Sequence, residues 1–244
     1  MTIRNGGRGP ALLAFDTATS RVVIALGTAG GDRAGPPPGQ TSWVAGQRHG
    51  ETLLRALDRQ LGDRHVDRSD LAGIVVGTGP GTFTGLRVGL ATAKGLAHGL
   101  GIPVVGVATG AALLAAAALV SSGSPDEGGS GEPDRMALML PAGPQDRVLV
   151  HDGVARLLPA GTEPDLPPGT TLVAVDLEGR APAEADARGE RALAGLGPAL
   201  LRLGAARLEA GGGDDLARLV PEYVTLPRGV RREAGEVTWS RDRR

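Results

Sequence analysis

The sequence predicts a mixed α/β protein built as two lobes. Its first half alternates short apolar runs, bounded by polar or glycine turns, with segments whose leucines recur at helical spacing. A stretch with the composition of a flexible linker follows, "SSGSPDEGGSGEPDR". Beyond it come three shorter strand-like runs and one helix, separated by Pro/Gly-rich connectors. The expected division is an N-terminal lobe at 1–120, a linker or loop at 121–135 and a smaller C-terminal lobe at 136–244.

"ALLAFDTATSRVVIALGTA" reads as two strands, Leu12–Phe15 and Arg21–Leu26, joined by the polar turn "DTATS". In "GGDRAGPPPGQ" three consecutive prolines exclude helix and ladder alike, which makes it a hairpin excursion. "TSWVAGQ" supplies a third strand. In "ETLLRALDRQL", Leu53, Leu54, Leu57 and Leu61 share one face of an amphipathic helix from Glu51 to Leu61. "LAGIVVGTG" is a buried strand, followed by a helix from Thr84 to Leu100, the strand "IPVVGVA" and the helix "TGAALLAAAALV". The order β-β-β-α-β-α-β-α describes a mixed sheet flanked by helices. In the second half "MALML", "RVLVHDG" and "TLVAVD" are strands, and "GPALLRLGAARLEAG" is a helix stopped by glycines. "DDLARLVPEYVTLPRG" ends as an extended segment.

Composition bounds the function. An apolar share of 41% over 244 residues supports an ordinary core, and a net charge of -1 gives no broad nucleic-acid surface. The absence of cysteine removes disulfides, thiolate zinc sites and cysteine nucleophiles. No apolar run approaches the roughly 18 residues of a membrane helix, and "MTIRNGGRGP" lacks the apolar core of a secretory signal. A soluble cytoplasmic protein with no membrane association is expected. One lysine, Lys94, stands against 25 arginines.

Two motifs bear on chemistry. "DTATS" places Asp16 at the end of the first strand, in a turn that resembles the phosphate-binding hairpin of the actin-like ATPase and sugar-kinase superfamily. A side-chain-capped turn explains the same five residues. The second motif is "GTGPGTFTGLRVGLATAKGLAHGLG", Gly77 to Gly101. Strand-to-helix junctions of this kind hold anions on backbone N–H groups. Lys94 nevertheless lies nine residues past Gly85, too far for a P-loop, and the glycine spacing does not give G-x-G-x-x-G. In the helix itself Gly85, Gly89, Ala93 and Ala97 form a stripe of small residues, and Leu86, Leu90 and Leu100 extend an overlapping apolar seam. Arg87, Ala91, Lys94 and His98 are its one narrow polar face. A helix this apolar is buried on more than one side, so the Glu51–Leu61 helix or a partner protein must cover what the sheet does not. His49, His65, His98 and His151 are scattered without HxxxH or HExxH, and no Ser-His-Asp set stands out. No catalytic, cofactor-binding or metal-binding residue is therefore assigned.

"LLAFDTAT", "RHGETLL", "GTGPGTFTGLRVGLATAKGLAHGLGIPVVGV" and "LARLVPEYV", taken in order along nearly the whole chain, resemble the TsaB (YeaZ) family. The resemblance implies two actin-like lobes (ASKHA, ribonuclease H-like) with mixed β-sheets flanked by helices. It also implies a non-catalytic subunit of the bacterial complex that makes threonylcarbamoyladenosine beside the tRNA anticodon. TsaD would be its heterodimer partner, TsaE the third subunit, a homodimer possible and tRNA met only through the complex. The catalytic paralogue carries metal-binding histidines after its similar helix, where this chain reads "VGVATGAALLAAA". The family's "DAR-x-x-E-V-Y"-like strand is replaced here by "LPAGPQDRVLV", and a loosened C-terminal lobe is expected. The alternative function is an actin-like-fold phosphotransferase or ATPase that holds ATP with Asp16 and the glycine turn.

In that family the N-terminal-lobe helices pack against TsaD or a second copy. Carried onto this sequence, the expected interface is Glu51, Leu53, Leu54, Leu57, Gly85, Leu86, Arg87, Gly89, Leu90, Ala93, Lys94 and Ala97. Enlarging Gly89 or Ala93 is expected to block assembly and leave the monomer folded. Self-pairing brings the Arg87/Lys94/His98 face against its own copy, which favours the heterodimer.

Overall fold

Strand β1 (Ala11–Asp16) is apolar up to its last residue, and all six of its residues are buried. That pattern belongs to a central strand covered on both faces. In the computed structural model, which describes residues 10–28, 39–44, 49–121, 135–224, 230–233 and 236–239, β1 sits in the middle of a five-stranded sheet. β2 (Arg21–Thr28) runs antiparallel beside it and β3 (Gly39–Val44) antiparallel beside β2. On the other side β4 (Leu71–Gly77) and β5 (Val104–Val107) run parallel to β1, giving the order β3-β2-β1-β4-β5. Helices α1 (His49–Asp63) and α2 (Phe83–Leu100) cover one face through Leu53, Leu57, Leu61, Leu90, Ala93 and Ala97. Each leucine buried there contributes ~2 kcal/mol relative to exposure.

A second sheet is built from β6 (Met136–Pro141), β7 (Arg147–His151), β8 (Val154–Leu158) and β9 (Thr171–Ala174), in the order β8-β7-β6-β9. Its directions repeat those of β3-β2-β1-β4. Helices α3 (Thr109–Ser121), α4 (Ala183–Ala194) and α5 (Leu196–Gly211) join the inner faces of both sheets in one core. α5 follows the second sheet in sequence yet lies on the first, where Gly197 and Gly204 come close to Ala25 and Val75. A short hairpin pairs β10 (Val230–Glu233) with β11 (Glu236–Trp239). This is the actin-like, ribonuclease H-like α/β fold.

The order β-β-β-α-β-α-β-α stands as the sequence predicts. "LPAGPQDRVLV" keeps the hairpin geometry, as the end of β6, a turn and β7. Besides the β10–β11 hairpin and a single 3-10 turn at Arg68–Asp70, two elements are additional. β8 is turned by Asp152 and Gly153, both at positive φ, the Asp-Gly signal of a tight hairpin. In "AEADARGERALA" alanine supplies almost all the apolar surface of α4, so it carries no leucine period. Most of the excursion "GGDRAGPPPGQ", the linker at 122–134 and the tail at 225–229 lie outside the described residues.

Candidate functional site: a buried turn and an exposed helical face

The turn after β1 is built around Asp16, which is fully buried. The Ala18 N–H donates to its Oδ1 at 2.8 Å, closing the side-chain-capped turn. The Thr109 hydroxyl at the start of α3 donates to Oδ2 at 2.6 Å and accepts the Gly79 N–H at 3.0 Å. Burial pushes the Asp16 carboxyl above the usual aspartate value, against the pull of the Thr109 and Ala18 hydrogen bonds. Asp16 thus ties together three segments distant in sequence: the turn, the glycine loop and α3. Both its oxygens are engaged, and the side chain itself is wholly enclosed. Around it the Thr82 N–H donates to the Ala18 carbonyl at 2.7 Å. The Ser20 N–H donates to Asp176 at 2.6 Å, and Arg21 pairs with Glu190 at 3.0 Å. These last two contacts join the first sheet and its turn to the loop after β9 and to α4.

The glycine loop delivers α2 onto that turn. Gly79 has φ of 111°, a conformation suited to glycine. The Thr17 hydroxyl donates to the Gly85 carbonyl at 2.7 Å, and a Cβ at either Gly85 or Gly89 would collide with Thr17. The small-residue stripe thus has a close neighbour within the chain itself. Gly85, Leu86, Gly89, Leu90, Ala93 and Ala97 are all buried within the chain, as are Leu53 and Leu57 of α1. Gly85 meets the Thr17 backbone, Gly89 meets the Thr17 hydroxyl and Ala93 is buried in the core cluster, so enlarging Gly89 or Ala93 would disturb the fold before any assembly.

The opposite face of α2 is open. Arg87, Ala91 and His98 are exposed and Lys94 is half-buried. Spacings of seven and four residues keep Arg87, Lys94 and His98 on one side of the helix. α1, in contact with α2, adds Leu54, 50% exposed, with Arg55, Asp58 and Arg59 also exposed. Asp58 is paired with Arg68 at 2.7 Å. Among the described residues Arg55, Arg59, Arg87 and Lys94 are in no ion pair. The side chains of His49 and Glu51 lie outside the described residues. The accessible remainder of the predicted interface is therefore Leu54, Arg87 and Lys94, in a net cationic setting.

Two residues of this face carry no pattern in the sequence analysis. The Arg87 guanidinium carbon lies 3.7 Å from the centroid of the Phe83 ring, and its Nε–H donates to the Tyr223 hydroxyl at 3.1 Å. Phe83 and Tyr223 have ring centroids 5.2 Å apart. The available signal was composition: the chain has two Phe and one Tyr, and Phe83 precedes Arg87 by one helical turn. A cleft of about 570 Å³ near Thr78 and Gly106 is lined by Arg207, Asp214, Asp215 and Arg218. Its charges are spent locally, since Arg207 pairs with Asp214 at 2.7 Å and Arg218 with Asp215 at 3.8 Å. Among the described residues no three His, Asp or Glu side chains gather as a metal site, and no helix is long and apolar enough to cross a membrane.

Residues 41–166 match the family model described as "TsaD: tRNA N6-adenosine threonylcarbamoyltransferase". The chain belongs to this family. An uncharacterized protein of Mycobacterium tuberculosis is 43% identical over 98 residues, covering 39% of this chain and 44% of the relative. The tRNA threonylcarbamoyladenosine biosynthesis protein TsaB of Escherichia coli is 33% identical over 98 residues, covering 40% of each. The chain thus spans less than half the length of these relatives. The solved YeaZ from Pseudomonas aeruginosa has the same fold, with a TM-score of 0.62 at 24% identity over 87% of this chain and 99% of that one.

Proposed function

We propose that the chain is a non-catalytic, TsaB-type subunit that docks on the threonylcarbamoyltransferase TsaD. Its role is to support transfer of the threonylcarbamoyl group to the adenosine beside the tRNA anticodon. The observation that carries this reading is the burial of Asp16. In a family with a catalytic member, the acid of the phosphate-type turn is here enclosed by Ala18 and Thr109 and serves the fold. Among the outward surfaces, the α1–α2 face offers Leu54, Arg87 and the half-buried Lys94. TsaE joins as a third subunit, and tRNA is reached through the complex.

The face's charge supports a different protein as the stronger partner. A second copy would set Arg87 and Lys94 against their own equivalents, whereas TsaD can offer carboxylates. Solution mass of the purified chain with and without TsaD tests the reading, and a stable heterodimer is the expected result. The same chain titrated with magnesium and ATP is expected to show no binding. Tight, magnesium-dependent binding with hydrolysis would overturn the proposal in favour of a phosphotransferase or ATPase.

A further inference from the structure

After α5 the chain crosses back over the first sheet as a strap. The Asp214 N–H donates to the Val104 carbonyl at 2.7 Å, and Leu219 is buried in the core under α1 and α2. The Glu222 N–H donates to the Thr78 carbonyl at 2.7 Å, which sets Tyr223 beside Phe83 at the start of α2. We propose that this strap is part of the docking face: Tyr223, with Phe83, presets Arg87 to receive a carboxylate from an acidic surface of the partner. The inference rests on the docking function proposed above.

The geometry divides the guanidinium between two tasks. One face lies on the Phe83 ring and Nε–H is held by the Tyr223 hydroxyl. Among the described residues nothing hydrogen-bonds the two terminal nitrogens, whose parallel N–H groups match a carboxylate in bidentate geometry. An arginine free in solvent loses rotamer freedom when it pairs, while one already held loses less. The neighbouring Lys94, Arg55 and Arg59 carry the same sign, so the matching surface is acidic. A second copy of this cationic face does not supply it.

Tyr223 is therefore a positioning residue, and a double-mutant cycle on the full chain with TsaD tests it. Tyr223→Phe removes one hydroxyl and keeps the ring. It is expected to weaken the complex about three- to tenfold, and to cost nothing further once Arg87→Ala is present. Arg87→Lys is not expected to restore affinity, because an ammonium lacks the planar fork. In the free chain, exchange of the Arg87 Nε–H is expected to be faster in Tyr223→Phe than in the unmodified protein. Unchanged affinity in Tyr223→Phe, or an equal loss in the Arg87→Ala background, overturns the inference. Leu54→Asp separates the two readings. If it disrupts the complex while Tyr223→Phe does not, the strap's role alone is wrong. If it too binds normally, the docking face is wrong and the inference falls with it.

Discussion

Strands β3-β2-β1-β4 and β8-β7-β6-β9 follow one order and one set of directions, yet the two sheets are finished differently. Between β3 and β4 the first sheet carries α1, which with α2 covers its outer face. At the corresponding place the second sheet has the segment 159–170 and no helix. That segment is fastened by hydrogen bonds from Arg147 to the Thr162 carbonyl and, at 3.0 Å, from Arg156 to the Asp165 carbonyl. β1 ends in Asp16, which ties the turn to α3; β6 ends in Pro141, and its turn closes through an Ala142 N–H to Asp146 carbonyl bond of 2.9 Å. One strand order thus supports two uses. The first sheet presents a helical face whose cations Arg55, Arg59, Arg87 and Lys94 are in no ion pair among the described residues, while the second presents an edge strand, β8, with Val154 and Leu157 outward.

Substitutions on opposite sides of α2 break this comparison most sharply. Gly85→Leu drives a side chain into the Thr17 backbone and is expected to cost about 3 kcal/mol or more of stability by urea unfolding. A near-neutral result would mean that the turn does not sit where it is described. Next in size are the two strand ends. Asp16→Ala leaves the Thr109 hydroxyl and the Ala18 N–H without their acceptor, an expected loss of about 2–3 kcal/mol. Pro141→Ala, at the matching end of β6, is expected to change stability by about 1 kcal/mol or less.

Asp16 also sets a pH dependence. Because its folded pKa is raised, the folded state holds a proton that the unfolded state has released above the ordinary value of 3.8. Its contribution is therefore greatest below that value and declines as pH rises through the folded pKa. Unfolding measured from pH 4 upward is expected to lose this descending component in Asp16→Asn. An identical profile in both proteins would contradict the burial.

The succession of elements along the first half and the helices α1, α2, α3 and α5 were legible because apolar runs and leucine spacing record local burial. Partners across the sequence were not. The stripe Gly85/Gly89 announces a close approach, but the residue it meets is Thr17, by backbone at Gly85 and by hydroxyl at Gly89, 68 residues away from Gly85. The pairing of Asp16 with Thr109 spans 93 residues and that of Arg87 with Tyr223 spans 136. The capped turn at "DTATS" was readable, while its burial depended on a threonine from another element. Arg87 and Lys94 were readable as a polar face because their spacing is itself local.

Smaller effects sharpen the same contrast. Heterodimer affinity is expected to fall as salt rises from 0.05 to 0.5 M (about a threefold shorter screening length), since the exposed face meets its partner through charge. An unchanged affinity would mean an apolar contact. Gly95→Ala, on the open side of α2 with nothing near the added methyl, is expected to gain about 0.5–1 kcal/mol. A loss there would show that the outer face is already occupied.

Backbone hydrogen exchange of the full chain, alone and with TsaD, tests the central claim most directly. Slower exchange along α1 and α2, with β7 and β8 unchanged, is the predicted result. Protection confined to the β8 edge, with α1 and α2 exchanging as in the free chain, would contradict it.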